Sequence, residues 1–247
     1  MVKAPPRGLG EISKKDKIFE SAMSLFRKKG FDATTIRDIA SHAGVALGST
    51  HYIFGSKEEL VVHFFKTLLI SQQKRGEEII AETRSFSIRI NKYFEFIFNQ
   101  LKADREIIRA LARVTGDPSS PASSLSWQTE DIRSQSVEIL SELVKGSDLK
   151  IHPLLRPHAG ELLWLTLMGM AFFWSHDRTP NQRCANAITS TTLTLIPGVF
   201  RLTTIPLATR YVKLILKIVQ EAFEAFSYKE EDNSENSATK HRVCDLD

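Results

Sequence analysis

Apolar residues recur along this chain with a helical period almost from end to end. Ile18, Phe19, Ala22, Leu25 and Phe26 fall at i, i+1, i+4, i+7 and i+8, which is one apolar stripe on a helix over about 16–29. Lys28 and Lys29 suit the negative end of that helix, and Gly30 suits the residue just past it. Phe31 returns the chain to the core. A second, short helix opens at Thr34-Thr35, where Thr35 and Asp38 have the spacing of a capping box and Ile36, Ile39 and Ala40 point inward. Ala43-Gly44-Val45 makes a tight turn with positive φ expected at the glycine, and a third helix covers roughly 46–54. Ser56 and Glu59 repeat the capping spacing and open a long helix to about residue 82. Its stripe is Leu60, Val61, Phe64, Phe65, Leu68 and Leu69.

The same period places further helices near 86–103, 105–115, 124–145, 157–176, 180–196 and 207–226. Pro118, Pro121, Pro153, Pro157, Pro180, Pro197 and Pro206 punctuate them. No strand alternation of useful length, repeat or heptad run appears, so the fold class is all-α. Residues 1–13, with Pro5-Pro6 and two glycines, read as a flexible arm. Residues 227–247 are polar and aromatic-poor, the composition of a disordered tail. The most apolar run, LLWLTLMGMAFFW at 162–174, is too short to span a bilayer and fits a buried helix. No secretion signal precedes the first helix, so a cytoplasmic protein without a membrane partner is expected.

Charge changes the picture at one end. Residues 1–75 hold 13 Lys+Arg against 7 Asp+Glu, whereas residues 76–247 hold 20 against 22. A basic N-terminal third on a nearly neutral body suits a polyanion. Cys184 and Cys244 make neither a disulfide framework nor a metal pattern. His42, His51 and His63 lack metal-ligand spacing, so no metal is expected. His176-Asp177 has no accompanying nucleophile motif, and neither a P-loop nor a dinucleotide fingerprint is present. These absences argue against an enzyme and imply no cofactor.

Two short helices joined by an Ala-Gly-Val turn behind one supporting helix make the helix-turn-helix plan, in which the last helix enters a major groove of double-stranded DNA. Ala40 is small because the second helix crosses close to it, and Val45 plugs the space between the helices. The letters are more specific than the plan. Ile18, Ala22, Leu25, Phe26, Gly30-Phe31, Thr34-Thr35, Asp38-Ile39-Ala40, Ala43-Gly44-Val45, Gly48, Phe54 and Ser56-Lys57-Glu58-Glu59-Leu60 resemble the DNA-binding domain of the TetR family of transcriptional regulators. The resemblance implies a homodimeric regulator, usually a repressor, with a helix-turn-helix domain at 14–58. It further implies a helical effector-binding and dimerisation domain at 59–226. Carried over by position, Thr34 or Thr35 and Arg37 contact phosphate or a base edge. Ala46, Leu47 and Ser49 face the bases, and Lys57 meets a phosphate at the start of the fourth helix.

The chain departs from the family pattern at Ala46, Thr50, His51 and Ile53. Ile53 is expected to take over the core place that Thr50 gives up, with the Thr50 hydroxyl returning to the carbonyl of Ala46. His51, or its neighbour Tyr52, offers a donor to phosphate. In the body, Phe94, Phe98, Trp127, Trp164 and Phe172 either pack the core or line a pocket for an apolar or aromatic small-molecule effector, with Arg113 near an anionic end. The helices at 157–176 and 180–196, carrying Gly160, Gly169, Ala171, Ala185 and Ala187, are the first choice for the dimer interface. The departures keep a second reading open, that of an effector- or protein-binding module with a weakened DNA head.

Overall fold

The computed structural model describes residues 13–103, 105–116, 120–124 and 126–227. The expected arm, save Ser13, and the expected tail, save Ser227, lie outside them, as does Cys244. Among the described residues the chain forms ten α-helices joined by turns and short 3-10 segments, with no strand.

Helices α1 (Lys14–Lys29), α2 (Ile36–Ala43) and α3 (Leu47–Ile53) make the head. Each boundary has a local cause. The Ser13 hydroxyl accepts from the Asp16 N–H, which starts α1 two residues earlier than the apolar stripe alone predicts. Thr35 and Asp38 close a reciprocal capping box on α2, and Lys29 holds the Asp38 carboxylate at 2.6 Å. That ammonium, together with the Thr35 donors, holds the Asp38 carboxyl well below the usual carboxylate range. Gly30 and Gly44 both take positive φ, 85° and 64°, where a side chain would be strained. The Val45 N–H then bonds to the Ala40 carbonyl and closes the turn.

Helix α4 (Lys57–Glu82) is 26 residues long, about 39 Å at the usual rise. Ser56 caps it, but Glu59 reaches back to the Gly55 N–H rather than closing a box on Ser56. With α5 (Phe86–Ala103), α7 (Glu130–Val144) and α8 (Ala159–His176), α4 encloses the main core. Phe94, Phe98, Leu140, Leu143, Leu163, Trp164 and Trp174 fill it. A Cβ on Gly160 would lie 2.1 Å from Ser141 Oγ and 2.6 Å from the Val137 carbonyl oxygen, so α8 starts pressed against α7. That glycine serves the chain's own packing rather than a dimer interface, and Ala185 is buried as well.

One buried arginine ties the far end together. Arg89, 3% exposed, donates to the carbonyls of Ile80, Thr83, Leu143 and Lys145. These carbonyls end α4 and α7, where helices leave acceptors without partners. Burial pulls the Arg89 pKa down from its ordinary value. Helix α6 (Arg105–Gly116) packs on α8 and reaches back to α1, linking body to head.

Two helices of the body depart most from expectation at their ends. Helix α7 begins at Glu130, not near 124, because residues 120–124 form tight turns and Trp127–Thr129 a short 3-10 turn. The Thr129 hydroxyl donates to the Ser123 carbonyl, and Arg133 donates to the carbonyls of Ser124 and Ser126. Helix α9 (Arg183–Leu202) starts after Asn181 and Gln182, both at positive φ, and runs through Pro197 instead of stopping there. An internal proline costs about 3 kcal/mol. Burial of Leu193 and Phe200 on either side of it offsets that loss. Helix α10 (Thr209–Ser227) lays Val212 and Val219 on the body.

Candidate nucleic-acid interface

The turn residues aim α3 outward. Its inward anchors are Thr50, fully buried, and Phe54 just past its end. Thr50 keeps the core place that a shift to Ile53 was expected to fill. Its hydroxyl donates to the Ala46 carbonyl at 3.2 Å, which removes the cost of burying it, and Ile53 stays half-buried at the margin. With Thr50 inside, Ala46, Gly48, His51 and Tyr52 are exposed, while Leu47 and Ser49 are half-buried. Tyr52 is 91% exposed, so nothing in the head supports its ring.

Beside α3, the two threonines separate. Thr34 is fully buried and its hydroxyl donates to the Gly30 carbonyl at 2.7 Å. It ties down the end of α1 and is out of reach of any polyanion. Thr35 is exposed at the cap of α2, and Arg37 is exposed two residues on. The Thr-Thr pair looks symmetric in sequence; only the orphan carbonyl at the end of α1 decides which one turns in. Lys57 is committed as well. Its ammonium donates to the Phe31 carbonyl at 2.9 Å and lies 4.4 Å from the Phe31 ring centroid. Sequence reasoning missed this bond, because Phe31 lies 26 residues away.

His63 stands behind the head. Its ring meets Phe19 at 4.9 Å and Phe54 at 5.5 Å, knitting α4 to α1 and to the end of α3. Burial, and then the charge of Lys15, lower its pKa. A groove of about 480 Å³ beside it is lined by Lys15, Phe54, Val62 and Lys66 on one side and by Pro121 and Gln128 on the other.

The expected effector residues do not converge. Phe94, Phe98 and Trp164 are buried in the core; Phe98 meets Trp174, and Trp164 meets Phe223 of α10. Phe172 is 61% exposed and lies against His176 on the outside of α8, so it lines no interior pocket. The side chains of Trp127 and Arg113 lie outside the described residues. The His176-Asp177 pair is not a dyad. The His176 ring faces the Phe172 carbonyl, while the Asp177 carboxylate accepts from Thr179 and from the Ala185 N–H at the start of α9. Those bonds hold the Asp177 carboxyl below its usual range.

Residues 18–64 match the family model of bacterial regulatory proteins of the tetR family, and residues 89–215 match that of the tetracyclin repressor-like C-terminal domain. The chain belongs to the TetR family. It is thus a member of a family of DNA-binding transcriptional regulators, with a helix-turn-helix head and a helical body. It is 32% identical over 117 residues to the probable HTH-type transcriptional regulator YttP of Bacillus subtilis (strain 168), which is 41% of this chain and 56% of that protein. The match therefore spans little more than half the length of YttP. Over 144 residues it is 24% identical to the biofilm operon icaADBC HTH-type negative transcriptional regulator IcaR of Staphylococcus aureus (strain Newman), 56% of this chain and 73% of IcaR. Two solved structures share the fold. Thermus thermophilus FadR, in complex with lauroyl-CoA, has a TM-score of 0.55 at 20% identity, covering 73% of this chain and 92% of that one. Bacillus halodurans FadR has a TM-score of 0.57 at 18% identity, covering 78% and 99%.

The TetR body carries a second conspicuous surface. Phe172 and Phe173 on α8, Ile188, Leu195, Val199 and Leu202 on α9, and Leu207, Tyr211, Leu214 and Ile218 along α10 and its entry are all exposed. Among the described residues no helix is long and apolar enough to cross a membrane.

Proposed function

We propose that this TetR chain is a homodimeric repressor that binds a palindromic operator through α3 and leaves it when the body takes up a small apolar or aromatic effector. The observation that carries the reading is the outward face of α3. Tyr52 and His51 stand exposed there beside Thr35 and Arg37, on a head whose inward face is fully packed. Ala46, Leu47 and Ser49 face the bases, Thr35 and Arg37 the phosphates, and His51 and Tyr52 the flank. Lys57 reaches a phosphate only by exchanging its bond to Phe31, so it adds less than Arg37. The alternative of a weakened head loses its ground in Thr50, whose hydroxyl is satisfied and whose methyl packs inside.

Dimerisation follows from the exposed faces of α8 and α9. A contiguous apolar surface of this kind marks a protein interface, and a C2 pair sets two α3 helices about 34–36 Å apart, one turn of DNA. The effector acts by linkage. A ligand that favours another spacing lowers operator affinity by its differential binding, typically about 1–3 kcal/mol. Phe94, Phe98 and Trp164 are taken up by the core, and support for an effector comes from the indole N–H of buried Trp174, which has no partner among the described residues and suits an acceptor group on a ligand.

The test is fluorescence anisotropy on a duplex that the wild-type protein enriches from a randomised library. Tyr52→Ala is expected to weaken that complex roughly tenfold or more while leaving the melting temperature unchanged. Unaltered affinity would sink the assignment of α3.

A further inference from the structure

Ligand sites favour the places where two parts of a chain meet, and here the head meets the turn at Pro121 over the start of α4. Two grooves flank that meeting, and Glu58 and Pro121 line both. In one, of about 440 Å³, the cation is Lys57, already committed to the Phe31 carbonyl. In the other, of about 480 Å³, the cations are Lys15 and Lys66. Among the described residues neither of these has a carboxylate partner.

The floor of this second groove is apolar, with Phe54 3% exposed and Ile53 and Val62 beside it. The Lys15 ammonium stands 5.7 Å from the Phe54 ring centroid. His63 forms a wall. Its ring is held by Phe19 and Phe54, and among the described residues neither ring nitrogen has a hydrogen-bond partner. A neutral imidazole keeps one N–H to donate. Burial lowers the His63 pKa most; of the charges that reach it, Lys15 and Lys66 lower it further and Asp16 raises it. The field at this wall is therefore positive. Of the two acids on the rim, Glu59 spends its carboxylate on the Gly55 N–H at 3.0 Å. Two ammonium groups against Glu58 leave one positive charge to be met, which suits a carboxylate better than a phosphate dianion.

We propose that this groove is a ligand site for a small aromatic carboxylate, separate from the effector site of the body. The ring lies on Phe54 and Val62, the carboxylate meets Lys15 and Lys66, and His63 donates to it. Such an occupant touches the end of α3 and the turns at Pro121 and Gln128 together. On the DNA-binding reading above, it fixes the aim of α3.

Isothermal titration with cinnamate tests the site. Wild type is expected to bind one molecule per chain. Acetate, the charge without the ring, and cinnamyl alcohol, the ring without the charge, bind roughly tenfold or more weakly. Replacing both lysines, Lys15→Gln with Lys66→Gln, weakens cinnamate roughly tenfold or more at an unchanged melting temperature, because both side chains are exposed. Trp174→Phe, which removes the buried indole N–H of the body, leaves cinnamate binding as in wild type. A wild type that binds no cinnamate would overturn the proposal. So would equal binding of the neutral alcohol, or wild-type affinity in the double lysine variant. A loss in Trp174→Phe instead would overturn it by moving the acid to the body, and the effector reading would stand. Cinnamate binding by a protein that enriches no duplex would sink the DNA-binding reading and keep this site.

Discussion

The outer face of α3 and the outer faces of α8 to α10 are both uncovered, and they are built in opposite ways. Around α3 almost every polar group near the exposed face is tied down. Ser13, Thr35 and Ser56 cap helices, Thr34 and Thr50 return their hydroxyls to carbonyls, and Lys57 holds Phe31. What remains free is a small set of side chains on a rigid frame. The body surface is the reverse: broad and apolar, from Phe172 to Ile218, with few directional contacts. A surface that reads a sequence needs orientation, because a misplacement of an ångström loses a hydrogen bond. A surface that holds a second copy needs area. On the proposed reading, the contrast separates recognition from association within one chain.

The comparison breaks most visibly at α9. Val199→Glu places a charge in the apolar face, and the expected result is a monomer by sedimentation velocity. Operator affinity should fall on the order of 100-fold, because two half-sites no longer act together. A dimer that survives the substitution would move the interface off α9.

Arg89→Met tests the frame rather than either surface. It leaves four carbonyls at the ends of α4 and α7 without their shared donor. A loss of roughly 2–4 kcal/mol in urea unfolding is expected, with sequence preference on DNA unchanged. A changed preference would mean that the far end of α4 sets the aim of α3.

The smallest effect belongs to His63. Its pKa is lowered in the fold from 6.5, through burial first and Lys15 next, with Asp16 opposing and Lys66 adding. The unfolded chain therefore takes up the proton more readily. The stability His63 contributes is present above pH 6.5 and is lost as pH falls below that value. Thermal melts of wild type between about pH 7 and 5 should fall more steeply than those of His63→Gln. Parallel slopes would remove His63 as the cause. Because the ring is partly solvated, the difference is modest.

Much of the head was legible in sequence because its causes are local. The capping box at Thr35 and Asp38, the positive φ at Gly44 and the stripe through Phe26 all act within one or two turns of the residues that encode them. The Thr34 burial, the Lys57 bond to Phe31 and Thr50's hold on the core place expected of Ile53 were not legible, although the return of the Thr50 hydroxyl to the Ala46 carbonyl was. Each depends on which orphan carbonyl or core gap lies nearby after the helices have packed. In the body the helices themselves were readable from their period, yet α7 started late and α9 ran through Pro197. Neither serine hydrogen bonding nor the burial of Phe200 is a property of the local pattern.

By itself, the sequence determined that this is an all-helical chain with a helix-turn-helix head, because periodicity, caps and turn glycines are short-range demands on the backbone. Only the tertiary structure decided which residues face out. It turned Thr34 inward and Thr35 outward, and moved Phe172 from a supposed pocket to the surface. The physical reason is the same in each case. Exposure is set by what packs on the other side, which the local pattern does not specify even where a partner is as near as Gly30 is to Thr34.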